Sequence, residues 1–179
     1  SWARDRRPAR AAQGGGAGQR PRGPDWTDDS QKIAPLDPAH NVALFTPEAK
    51  ALEQAASAGM RTVVNFRAES ETGGLKPEDE RLVAEKLGLN YLHHPVTAES
   101  LNAETVDAFR RALDDLPQPV FLHCASGKRA GALTLMALAA DKGWDGETAL
   151  QEGKARGLDL TEEQIGQFVK SYANDKANA

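Results

Sequence analysis

The chain has 179 residues and a mass of 19.2 kDa, the size of one ordinary domain that buries a core without disulfide or metal staples. A hydrophobic share of 40%, a charged share of 27% and a net charge of -4 are those of a soluble globular protein, and exclude a chain whose total charge recruits nucleic acid or an anionic membrane. A single cysteine excludes an intramolecular disulfide and a thiolate zinc site, and the longest apolar stretch, 131–140, is about half of what a bilayer span needs.

Charge is unevenly spread. Residues 1–24 hold Arg4, Arg6, Arg7, Arg10, Arg20 and Arg22 against one acid, Asp5, and carry one large apolar side chain, Trp2. Such a segment cannot bury enough surface to offset its ordering entropy, so 1–31 reads as a basic low-complexity arm ahead of a domain at 32–175 and a short tail at 176–179. An arginine-rich, acid-poor start is similar to organelle transit segments, which points to a chloroplast or mitochondrial interior, with a bacterial cytoplasm as the alternative. The same arm is a candidate for docking on a protein partner.

Periodicity begins near Lys32. An apolar run at 42–45 precedes Thr46-Pro47, which predicts a helix capped by Thr46 and ended by Gly59. Residues 61–66 (RTVVNF) read as a buried strand, 77–87 as a helix ended by Gly88, and 91–96 as a second strand. Asn102 caps a helix that Pro117 ends, and 119–123 (PVFLH) is a third buried strand. Three helical segments follow, at 129–141, 147–155 and 161–173, the last with Thr161 as cap. Strands alternating with helices predict an α/β domain: a mostly parallel sheet flanked by helices, with a helical C-terminal tail.

The chemistry concentrates in HCASGKRAG, residues 123–131. A buried strand delivers the chain to a glycine-bearing loop that opens a helix, so the backbone N–H groups from Ala125 through Ser126, Gly127 and Lys128 to Ala130 converge as an anion nest. Cys124 sits at its floor, where the helix N-terminus, Lys128 and Arg129 favour the thiolate. A thiolate below an anion nest is a nucleophile for an anionic electrophile. Gly127 supplies positive φ, and Gly131 is expected to let the helix approach the sheet.

This loop resembles that of cysteine-dependent phosphatases, His-Cys, two residues, Gly, two residues, Arg, through His123, Cys124 and Gly127. Arg129 lies five positions after Cys124 where that pattern has six, a spacing similar to rhodanese-type sulfurtransferases. Across 36–160, the segments AGMRTVVNFRAESE, HHPVTAESLNAETVDAFRRAL and PVFLHCASGKRAGALTLMALA resemble the phosphatase-like domain of beta-lactamase hydrolase-like proteins. The resemblance implies a protein-tyrosine-phosphatase-like fold, Cys124 as nucleophile, Arg129 as anion clamp and His123 as orienter of the thiolate. It implies no cofactor and no metal. The substrate would be a phosphate- or sulfur-bearing small molecule or a phosphoprotein.

A phosphatase needs an acid for the leaving oxygen. The loops expected at that sheet edge offer Glu69, Glu71 and Glu99, with Arg67 at the rim. Three classes stay open: phosphomonoester hydrolysis through Cys124, sulfur transfer through a Cys124 persulfide, and a non-catalytic assembly subunit. His93 and His94 point to opposite sides of a strand and make no joint metal site. Trp144 reads as a packing anchor, and Glu78, Asp79 and Glu80 as acids complementing a helix dipole.

Overall fold

The computed structural model describes residues 31–179, so residues 1–30 of the arm and everything expected of them lie outside the described residues. The chain order is β1 (Ile33–Asp37), β2 (His40–Ala43), α1 (Ala49–Ser57), β3 (Thr62–Asn65), α2 (Pro77–Lys86), β4 (Asn90–His93), α3 (Ala103–Asp114), β5 (Val120–His123), α4 (Lys128–Lys142), α5 (Gly146–Ala155) and α6 (Gln164–Ala177). The five strands form one sheet in the order β1-β2-β5-β3-β4. Only β1 runs antiparallel, as a hairpin with β2; β2, β5, β3 and β4 are mutually parallel, with Val64 opposite Leu122 and Asn65 opposite His123.

Strand alternation sends side chains to two cores. One face carries Val42, Val64, Leu122 and Cys124 into the larger core, against Val106 and Phe109 of α3 and the apolar residues of α4, α5 and α6. The other carries Ala43, Val63 and Phe121 into a smaller core with Leu52 and Ala55 of α1 and Ala84 of α2. Helix α4 is enclosed by the sheet and the C-terminal helices, and every residue of Ala130–Ala139 is buried. A surface helix needs one apolar stripe; a central one must be small or apolar on all sides.

Several local expectations change. β1 was not anticipated, because IAPLD carries Pro35 and Asp37, and proline is confined to edge strands such as this one. Thr46 does not cap α1: Glu48 takes the cap position, and the Thr46 hydroxyl instead donates to the Ala125 carbonyl at 2.6 Å. Thr161 does not cap α6 either; it bonds Asp159, and the helix starts after Glu163 and runs on to Ala177. Gly131 packs not on the sheet but against Leu158 in the α5–α6 connection, whose Cδ2 lies 2.0 Å from where a Cβ would stand. Trp144 packs against the larger core, as a packing anchor should.

Candidate active site

Cys124 leaves β5 on the face of the larger core and is 1% exposed. Its Sγ accepts from the Gly127 N–H at 3.1 Å and from the Ala130 N–H at 3.4 Å, so two of the loop donors expected to cradle an anion converge on the sulfur. Gly127 makes that turn possible. Its φ is +100°, and an added Cβ would stand 2.7 Å from Leu44 Cδ2 and 2.9 Å from the Ala43 carbonyl oxygen. Both the left-handed backbone and the contact with β2 therefore require glycine. The Thr46 bond to Ala125 ties the loop to the β2–α1 connection from the other side.

Arg129 points across the loop toward the segment after β3. Its Nη1 and Nη2 donate to the two carboxylate oxygens of Glu71 at 2.7 and 2.8 Å, and Nη1 also donates to the Val96 carbonyl at 3.0 Å. This two-pronged geometry is what a guanidinium makes with any planar oxyanion. The pairing with Arg129 holds the Glu71 carboxyl down at about 2, against partial burial. Reciprocally, Glu71 raises the guanidinium's pKa, with the nearby Cys124 acting in the same direction.

The other expected residues fall in three places. Ala125 and Ser126 are exposed on the loop, as is Lys128, which pairs with Glu163 at 3.2 Å. Glu69 and Glu99 are exposed; Glu71 is the carboxylate that lines the cleft beside Arg129. Arg67 is 2% exposed and turns inward, donating to the Thr72 and Gly73 carbonyls at 2.8 and 2.6 Å and holding the loop that carries Glu71. It is a strut for the rim.

His123 faces the smaller core, with Nε2 2.5 Å from Glu80 Oε2 and Nδ1 3.4 Å from the Cys124 carbonyl oxygen. It touches the Cys124 backbone rather than its sulfur. Glu80 is therefore not a surface acid of the helix dipole, unlike the exposed Glu78 and Asp79. His93 and His94 diverge as expected: His93 Nε2 bonds the Arg67 carbonyl at 2.6 Å, while His94 packs edgewise on Phe66 and Phe109.

Beside Arg129 opens a cleft of about 600 Å³, lined by Glu71, Thr97, Ala98 and Leu101 on one side and by Gln164, Ile165 and Phe168 of α6 on the other. The apolar wall from α6 was not foreseen, because nothing in the periodicity of 161–173 tells which helix end returns to the Cys loop.

The family model for the phosphatase-like domain of Beta-lactamase hydrolase-like proteins matches residues 38–141, which contain β2 through most of α4 and the whole Cys124 loop. The chain belongs to that family. A Beta-lactamase hydrolase-like protein of Xylella fastidiosa is 34% identical over 107 residues, 57% of this chain and 24% of that protein, so the match spans about a quarter of the relative. Among solved structures, a Neisseria meningitidis protein described as a phosphatase candidate superposes with a TM-score of 0.67 at 23% identity, covering 80% of this chain and 97% of that one. TpbA of P. aeruginosa superposes with a TM-score of 0.64 at 22% identity, covering 85% of this chain and 94% of that one. These likenesses establish the protein-tyrosine-phosphatase-like fold of this phosphatase-like domain. Among its described residues no helix is long and apolar enough to cross a membrane. The relatives matched are bacterial, and the transit-like reading rests on residues outside the described part.

Proposed function

We propose that this phosphatase-like domain hydrolyses a phosphomonoester through the thiolate of Cys124. The observation that carries the reading is the convergence of the Gly127 and Ala130 N–H groups on Cys124 Sγ, with the Arg129 fork on the same loop. Donors that stabilise a sulfur anion in the free protein also stabilise the equatorial oxygens of a phosphoryl group arriving above it. Sγ attacks phosphorus in line, the S–P bond forms as the ester P–O bond breaks, and the oxygen leaves with the bonding pair. Water then attacks phosphorus, its O–P bond forming as the S–P bond breaks and returns its pair to sulfur; phosphate leaves, and the water's proton passes through solvent to the departed oxygen.

Glu71 shapes which esters react. Held ionised at neutral pH by Arg129, it has no proton to give a leaving oxygen. Esters whose leaving group departs as a stable anion, such as aryl phosphates, are therefore favoured over alkyl phosphates. The apolar wall of Leu101, Ile165 and Phe168 suits an aryl group, and a Cys-to-Ser variant of the fold relative TpbA was solved in complex with pTyr. Whether the phosphate sits on a small molecule or a protein is set by what else docks around the cleft; the arm, residues 1–31, is a candidate docking segment.

The test is hydrolysis of p-nitrophenyl phosphate by the intact chain and by Cys124→Ser. Turnover lost in the variant supports the reading; equal turnover in both, or none in either, overturns it. One observation favours sulfur transfer as the second reading: the Cys124-to-Arg129 spacing is one residue short of the phosphatase pattern, and a persulfide needs no acid. Thiocyanate formed from thiosulfate and cyanide, without aryl phosphate turnover, would select it.

A further inference from the structure

Glu80 takes no part in that chemistry, yet it is 1% exposed, and a buried carboxylate persists only where its partners replace the lost water. It shares the inner face of α2 with Pro77 and Ala84. Its Oε2 lies 2.5 Å from His123 Nε2, and its Oε1 accepts from Asn65 Nδ2 at 3.5 Å. The same amide donates to the Tyr91 hydroxyl at 3.0 Å, and its Oδ1 accepts from the Arg67 backbone N–H at 2.8 Å.

His123 is 0% exposed, so neither ring nitrogen can turn to water. Nδ1 faces the Cys124 carbonyl, which only accepts, so Nδ1 carries a hydrogen. Nε2 faces a carboxylate oxygen, and a second proton lies in that bridge. With that proton on Nε2 rather than on the carboxylate, the ring is clamped between two acceptors and both nitrogens donate. Its positive charge lies against the backbone of the nucleophile, and the compensating negative charge sits on α2.

We propose that Glu80 is a positioning residue for Cys124: by holding His123 as a doubly protonated ring against the Cys124 carbonyl, it favours the thiolate over the thiol. The inference rests on reading Cys124 as a reactive thiol. Other charged groups around the pair are accounted for on each packed element. Arg81 of α2 lies over the Tyr91 ring of β4 at 5.2 Å. Arg67 is engaged by the carbonyls of its own loop and by Glu71. Glu48, Lys50 and Glu53 beside and on α1 are exposed, and His40 of β2 pairs with Asp37. Lys128 and Arg129, on the Cys124 side, are paired with Glu163 and Glu71. Burial and then Glu80 push the Tyr91 phenol up.

The test is the pH profile of Cys124 alkylation by iodoacetamide in the intact chain, in Glu80→Gln and in Tyr91→Phe. Glutamine keeps the volume and can donate to Nε2, leaving a neutral ring, so the thiol midpoint rises by about one unit and alkylation at pH 6 slows about tenfold. Tyr91→Phe removes another bond of the same buried network and leaves the midpoint in place. A midpoint unchanged in Glu80→Gln overturns the proposal, because a purely structural role would lower stability without moving it. Should Glu80→Gln fail to fold, the 15N resonances of His123 in the unaltered chain decide: two protonated ring nitrogens at neutral pH support the proposal, and one bare nitrogen overturns it. Neither readout uses phosphate hydrolysis. A shifted midpoint without turnover would remove the phosphatase reading alone, and turnover without a shift would remove this inference alone.

Discussion

The two faces of the sheet do different work for the same loop. The face that carries Cys124 is an apolar core closed by α3 and α4, where Sγ is held by backbone N–H groups. The opposite face, one residue earlier at His123, holds a buried polar chain from Tyr91 through Asn65 and Glu80. Consecutive residues of a strand point to opposite sides, so a nucleophile at the strand's end can be presented by one core and tuned through the other. If the proposed tuning through Glu80 holds, the chemistry of this cysteine loop is not confined to the side on which its cleft opens.

The sharpest way to break this division is Cys124→Ser. If the Cys124 side supplies the reaction, turnover falls at least about a thousandfold while the fold is kept within about 1 kcal/mol, as urea unfolding would measure. The second is Gly127→Ala. Left-handed backbone and contact with Leu44 and Ala43 together predict a loss of about 2–4 kcal/mol in the same unfolding experiment, with the loop distorted and activity reduced. A smaller loss would mean that the loop is not pinned to β2.

Glu71→Gln sharpens the picture at the rim. The folded carboxyl sits at about 2, below its ordinary 4.5, so it contributes stability that is fully present above about 4.5 and is lost as pH falls toward 2. Solvent screening limits the contribution to about 1 kcal/mol. The variant should flatten the acid limb of the stability profile by that amount and weaken the grip on Arg129; an unchanged limb would show that the pair does not hold in solution. The smallest effect belongs to Lys128→Ala, which removes an exposed pair with Glu163 and should change unfolding free energy by less than about 0.5 kcal/mol.

Much of this was legible in the residues. RTVVNF and PVFLH are β-branched or apolar runs bounded by turn signals, and they became β3 and β5 because parallel strands buried on both faces need no alternation. Cys124, Gly127 and Arg129 were readable because a strand-loop-helix transition imposes its own spacing. β1 was hidden by Pro35 and Asp37, and the two threonine caps failed because each hydroxyl had another partner, Ala125 for Thr46 and Asp159 for Thr161. Glu71 was one of three acids on the expected edge, and only the folded loop, held by Arg67, selects it. Glu80 was disguised among three consecutive acids. Its spacing from Pro77 and Ala84 is the signal that could have found it, since residues three and four apart share a helix face.

The most direct measurement is the intact mass of the chain acid-quenched during turnover of an aryl phosphate. A Cys124 phosphocysteine predicts the added mass of one phosphoryl group, located on the peptide containing Cys124 and absent from Cys124→Ser. Turnover with no such adduct, or a sulfur adduct on Cys124 after thiosulfate and none after aryl phosphate, would contradict phosphoryl transfer at this site.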